Sequence, residues 1–250
     1  MTALPEFETL DPIAAKVELA RGTLQIVASQ RTNTVVDVRP RDAAKALDVK
    51  TAERTKVAFS QGVLSVLSSQ GLTFRTGTID IIIELPTQSI LDIAVASAEV
   101  RADGAFGDVQ FQSASGDLLI DAITGDARLN TASGGVSIRE LTGDAGFNTA
   151  RGELAVKELR GNIKAASSSG SVTIGSAVVG GLIFDTASGD TSIGIATGTA
   201  ARLQIDTASG VLTNSLDSVD GPLAGDEKFL VKVRSASGDV ELHRPVGVAG

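Results

Sequence analysis

At 250 residues and 42% hydrophobic content the chain can form one domain with a real core or two small ones, yet aromatics are only 3% and Trp and Tyr are absent. A net charge of −8, with nothing aromatic between the few Lys and Arg, excludes a nucleic-acid surface, which requires a basic patch. The absence of cysteine removes disulfide frameworks and thiolate metal sites.

The chain opens, from Met1 to Pro12, without a basic n-region or an apolar h-region, so no signal peptide is expected. No apolar run approaches the roughly 18 residues of a membrane helix; the longest candidate, Ile79 to Leu85, is broken by Asp80 and Glu84. The expectation is a cytoplasmic protein that does not engage a membrane.

Period-two patterning predicts strands over 14–20, 23–28, 34–39, 56–60, 63–68, 78–85 and 90–95. Gly22 is followed by Leu24 and Ile26, and Gly62 by Leu64 and Val66, the same phrase 40 residues later. A short helix begun by Asp42 fits within Asp42 to Thr55, against the grain of Asp48 and Val49. Thr78 to Leu85 alternates strictly, with Ile79, Ile81, Ile83 and Leu85 inward, and Pro86 ends it. Residues 1–96 therefore read as an irregular β-rich N-terminal region capping a repeat region over 97–250.

That repeat begins at Ala98, where alanine holds a glycine site, and continues as a nine-residue lattice: Gly107, Gly116, Gly125, Gly134, Gly143, Gly152, Gly161 and Gly170. Apolar residues follow each glycine by two and four places, as in Val109 and Phe111, Val136 and Ile138, or Val172 and Ile174, so each nonapeptide is one short strand with one buried face. Seven places after glycine, small and large alternate along Ala114, Ile123, Ala132, Leu141, Ala150, Leu159, Ser168 and Ala177, with the last of them small. Two unlike strands thus alternate, and the true unit is 18 residues. Antiparallel hairpins would place unlike strands side by side; coils of 18 residues stack like on like. The predicted fold is all-β, a parallel β-solenoid (β-helix) of two-strand coils. Ordering nine residues costs roughly 9 to 18 kcal/mol of backbone entropy, while three buried side chains return only about 1.5 to 3 kcal/mol each. One coil cannot stand alone, and its neighbours must supply the ladder bonds.

After Gly170 the lattice stretches to Gly180, Gly189, Gly198 and Gly210. Residues 213–227, with Asn214, Asp217, Asp220, Gly221, Pro222, Gly225, Asp226 and Glu227, read as an acidic loop inserted before a last coil from Phe229 to Val240. The tail from Arg244 is expected to fray.

The recurring Ser/Thr-Ala-Ser-Gly-Asp-Val phrase, a Val/Ile-rich strand ending in Leu-Pro, and a closing Ser-Gly-Asp-Val-Glu-Leu-His-Arg together resemble the bacterial "putative adhesin" family of β-strand-repeat proteins, best from about residue 78 onward. The resemblance implies a β-helical fold and no established activity, catalytic residues or cofactor.

Several residues invite chemistry. Asp108, Asp117, Asp126, Asp144, Asp190 and Asp239 follow glycines, as in a calcium β-roll, but one carboxylate per turn is far from the six to eight oxygens calcium takes, and bonds to local backbone amides are the expected role. Glycan cleavage needs clustered carboxylates or basic residues, usually with aromatics for the sugar faces; the outward residues Asp121, Arg139 and Lys157 instead read as a compensating charge ladder, and Gln112, Asn130 and Asn148 as an amide ladder. His243 is the only histidine, so a histidine triad or multi-histidine metal site is not available, and it is expected at an edge. Ser115, Ser133, Ser169, Ser188, Ser209 and Ser237 have no general base near them in sequence and are assigned to turn bonding. The pair Gly180-Gly181 opens no helix and is no phosphate loop. The functional expectation is a non-enzymatic structural or interaction protein, with no catalytic, metal or cofactor residue, presenting a β-face to a protein partner or to itself. The alternative is a glycan- or small-ligand-binding β-helix.

Overall fold

The computed structural model describes residues 4–68, 76–216 and 225–245. Among the described residues the chain is all-β with one helix, and it divides into two compact units, Met1–Ala127 and Arg128–Gly250.

The first unit contains β1 (Glu6–Glu8), β2 (Ala14–Ser29), β3 (Asn33–Pro40), α1 (Ala46–Arg54), β4 (Lys56–Ser60), β5 (Val63–Leu67), β6 (Ile79–Pro86), β7 (Ile90–Phe106), β8 (Val109–Ser113) and β9 (Leu118–Ile123). The segments expected as separate strands over 14–20 and 23–28 are one strand, β2, that turns a corner at Gly22, whose φ is +144°. Glycine is required there: a Cβ would strike the backbone carbonyl of Ile79 in the neighbouring layer. Along one edge β2 pairs in parallel with β5 (Ala14↔Val63) and then β6 (Gly22↔Ile79); along the other it pairs in parallel with β7 (Ala14↔Ile90, Leu24↔Val100). The first long strand of the chain therefore lies between two strands that follow each other in sequence. From β7 the parallel register advances by 18, Leu91↔Val109 and Val100↔Leu118. Outside these layers run antiparallel strands, β4 on β5, and β1 on β3 on β6. Helix α1 forms despite its unpromising residues because Asp48 accepts the Thr78 amide (2.9 Å) and Thr51 Oγ1 accepts that of Gly77 (2.9 Å).

The second unit holds β10 (Ala127–Thr131, starting at the boundary), β11 (Val136–Thr142), β12 (Ala145–Thr149), β13 (Leu154–Ser167), β14 (Val172–Ser188), β15 (Thr191–Ile195), β16 (Thr199–Ser209), β17 (Leu212–Asn214), β18 (Glu227–Ser237) and β19 (Val240–His243). The 18-residue register is explicit: Val136↔Leu154↔Val172 on one ladder, and Ala145↔Ile163 on the other. Beyond β14 sequence order and spatial order part. The first half of β14 pairs with β15, then β15 with β19 and β19 with β17; the second half pairs with β18, and β18 with β16. Strand β18, from near the chain end, is thus inserted between β14 and β16. The acidic insertion begins with β17 and an Asn214 side chain accepting the Leu216 amide; Asp217, Asp220, Gly221 and Pro222 lie outside the described residues. Arg244 does not fray: its guanidinium donates to the carbonyls of Ile195, Ala196 and Thr199.

The core follows the glycine-plus-two and plus-four rule. Val109, Phe111, Leu118, Ile120, Val136, Ile138, Phe147, Leu154, Val156, Val172 and Ile174 are all at most 2% exposed. Phe147, Ala165, Phe184 and Val233 stand in register on successive strands, the small alanine leaving room between two rings. The alternation seven places after glycine separates two kinds of corner. Ile123, Leu141 and Leu159 are buried at one, whereas Ala114, Ala132 and Ala150 are exposed at the other.

Candidate functional site

The corner aspartates are engaged, but by the next layer rather than by their own turn. Asp108 Oδ1 accepts the amide of Asp126 (2.9 Å), Asp144 Oδ1 that of Asn162 (3.2 Å), and Asp190 Oδ1 that of Asp239 (2.9 Å), whose own carboxylate accepts Val211 N–H (2.8 Å). Each carboxylate satisfies a backbone donor that the ladder leaves open at the corner. Among the described residues no three His, Asp or Glu side chains gather as a metal site would need.

The turn hydroxyls are also shifted from expectation. The first residue of the phrase bonds the turn: Gly116 N–H donates to Ser113 Oγ (2.6 Å) and Gly152 N–H to Thr149 Oγ1 (2.7 Å), while Thr131 and Thr149 meet at 3.0 Å. Ser115 makes only a 3.5 Å approach to the Ala96 carbonyl. The amide ladder is present where Asn148 Nδ2 donates to Asn130 Oδ1 (3.2 Å). Arg139 pairs with its neighbour Glu140, and Asp121 accepts Gly104 N–H, so these two do more than compensate charges along a column. His243 is half-buried on β19, 3.4 Å from the Ser192 hydroxyl. Gly180, at φ +114°, is a strand corner.

One electrostatic cluster ties three segments of the first unit. Asp80 on β6 accepts from Arg41 (2.6 Å), which follows β3, and from Thr23 on β2 (2.7 Å). Partial burial pushes the Asp80 carboxyl up, but the Arg41 and Thr23 hydrogen bonds outweigh it and leave it below the ordinary aspartate value.

The second unit carries a surface that sequence order conceals. On β14, β18 and β16, Asp185, Arg234 and Asp206 are in register and exposed, a guanidinium between two carboxylates. They border an open depression of about 700 Å³ reaching Ser167, Thr186 and Ser235. The buried hydroxyls of Ser167, Thr186, Thr207 and Ser235 have no hydrogen-bond partner, although they occupy the same turn position as Ser113 and Thr149. Next to this column Ile183 and Leu230 are 37% and 40% exposed, diagonal neighbours on β14 and β18 because Ile183 pairs with Lys232.

The sequence profile of the Toastrack DUF4097 family matches residues 15–243. The chain belongs to the Toastrack family. The resemblance to bacterial "putative adhesin" repeat proteins is borne out with it. Among solved structures this Toastrack chain is similar to a putative lipid binding protein from Parabacteroides distasonis, with a TM-score of 0.51, 10% identity, and coverage of 96% of each chain. It is also matched to a putative adhesin from Bacteroides fragilis, with a TM-score of 0.42, 10% identity, and coverage of 95% of this chain and 96% of that one. At 10% identity the likeness to the Parabacteroides protein is one of fold. No curated protein matches the chain.

Within the Toastrack fold, the Asp185, Arg234 and Asp206 column could not be read from spacing. Arg234 is 49 positions after Asp185 in sequence and reaches it only because β18 is inserted beside β14. The one available signal was the turn phrase itself: Thr186-Ala187, Thr207-Ala208 and Ser235-Ala236 each follow a charged residue.

Proposed function

We propose that the parallel ladders of each unit are the coils of a β-solenoid, and that the protein is a non-enzymatic, adhesin-like module presenting an outer strand face to a protein partner. The observation that carries this is the outer face of β14 and β18, where Ile183 and Leu230 stand exposed among Asp185, Lys232 and Arg234. A pair of large apolar side chains within a charged rim is the composition of a binding patch. The carboxylates that might do chemistry support the same reading, since the corner aspartates bond backbone amides of the next layer. A photo-crosslinking side chain at Ile183 should trap a defined partner in native cells, one at Lys157 should not, and Leu230→Asp beside the Ile183 crosslinker should abolish that trapping with the fold intact. Equal trapping at Ile183 and Lys157 would remove the reading. Cell fractionation tests the accompanying proposal of a cytoplasmic location.

A second reading, glycan or small-ligand binding, is favoured by the depression beside Arg234, where the guanidinium can donate to hydroxyl groups and the carboxylates of Asp185 and Asp206 can accept from them. A melt raised by an oligosaccharide and unchanged for Arg234→Ala would support that reading; no shift across an oligosaccharide panel would remove it.

A further inference from the structure

Strand β16 ends its ladder. Among the described residues its sole ladder partner is β18, so its other edge offers unpaired amides and carbonyls. Its inward residues Leu203 and Ile205 are only half-buried, whereas Val231 and Val233, facing them on β18, are fully buried. Two of the usual defences of an edge are missing: no proline and no inward charge lies between Thr199 and Ser209. The outward residues read Arg202, Gln204, Asp206. This triplet is self-complementary. If β16 meets a second β16 antiparallel with Gln204 opposite Gln204, then Arg202 faces Asp206 of the other copy twice over, and Leu203 faces Ile205 twice on the opposite side. Shifting the register by two residues either way sets Arg202 against Gln204 or Ala208 and loses both ion pairs.

We propose that the free edge of β16 is a homodimer interface, formed with a second copy of this chain about a two-fold axis at Gln204. The pairing closes on itself and does not propagate, because each copy spends its β16 edge in the contact. This rests on reading the protein as a non-enzymatic interaction module and adds a second, distinct surface to the outer face of β14 and β18.

Light scattering on a sizing column tests it with the full chain. The wild type should run at twice 25.5 kDa. R202D and D206R should each weaken dimerisation on the order of tenfold or more, since two attractive pairs become repulsive. An equimolar mixture of R202D and D206R should recover the dimer, because every cross-strand pair is again opposite in sign; that recovery also shows both variants are folded. A wild type that remains monomeric at every concentration overturns the edge interface and leaves the outer-face reading to its crosslinking test. A dimer untouched by R202D and D206R but broken by Ile183→Asp also overturns it, and moves self-association to the outer face.

Discussion

Replacing Gly161 by alanine tests the physical origin of the glycine lattice. Gly161 turns the corner within β13 at φ +147°, and a Cβ there would fall on the backbone carbonyl oxygen of Gly143, one layer away. That oxygen belongs to the ladder and cannot swing aside as a side-chain tip could. The backbone conformation alone costs an L-residue about 1 to 3 kcal/mol, and forcing two layers apart adds about 1 to 3 kcal/mol. A loss near 3 kcal/mol corresponds to a fall of about 6 to 12 °C in Tm for a chain of this size. The control is Gly146 on β12, which lies off the lattice, has nothing within reach of a new Cβ and does not require positive φ. Gly146→Ala should be neutral or stabilising by up to about 1 kcal/mol. Thermal melts followed by far-ultraviolet circular dichroism compare the two directly. If Gly161→Ala melts within about 2 °C of wild type, or Gly146→Ala falls as far, close approach between layers is not what the lattice encodes.

Phe184, fully buried between Ala165 and Val233, should cost about 3 to 5 kcal/mol when cut to alanine, while Lys157→Ala should stay within about 0.5 kcal/mol; denaturant titration separates them. Ile138→Asp should unfold the array outright, visible as loss of the β signal, because an unpaired charge would enter the column. Removing the Asp239 carboxylate by Asp239→Ala frees the Val211 amide and should cost about 0.5 to 2 kcal/mol, with faster hydrogen exchange at Val211. Asp80 titrates below its ordinary value in the fold, so its contribution is complete above about pH 4 and is lost as pH falls through the folded value. Asp80→Asn should flatten that part of the stability profile, and an unchanged acid limb would refute the assignment.

What was legible in the sequence was the repeat and its faces. Ile138, Phe147 and Val156 had to face inward because the period of two and the glycine spacing allow no other register. A helix within 42–55 was legible from the alanines, but Asp42 does not begin it: it starts at Ala46 after Lys45, with no side-chain cap, and what holds it, Asp48 on Thr78, is a contact across 30 positions. Bonds between layers were not legible. Asp108 and Asp126 look like two independent turn residues until the 18-residue register brings the carboxylate of one to the amide of the other. Insertions were harder still: nothing local in residues 14–29 says that they pair with both 79–86 and 90–106, because a parallel partner is chosen by the whole stack and not by neighbouring sequence.

Those insertions bear on how such a chain can change length. In the first unit β2 separates β6 from β7, and in the second β18 separates β14 from β16. Trimming either terminus would therefore open a gap inside the stack instead of shortening it, and the two flanking layers would lose a shared partner at once. Whole 18-residue units can be added or deleted without disturbing either arrangement where sequence order and stacking order agree, from β7 to β9 in the first unit and from β11 to β14 in the second. Lineages of this chain should lengthen from the middle, with both terminal interleavings kept as they are.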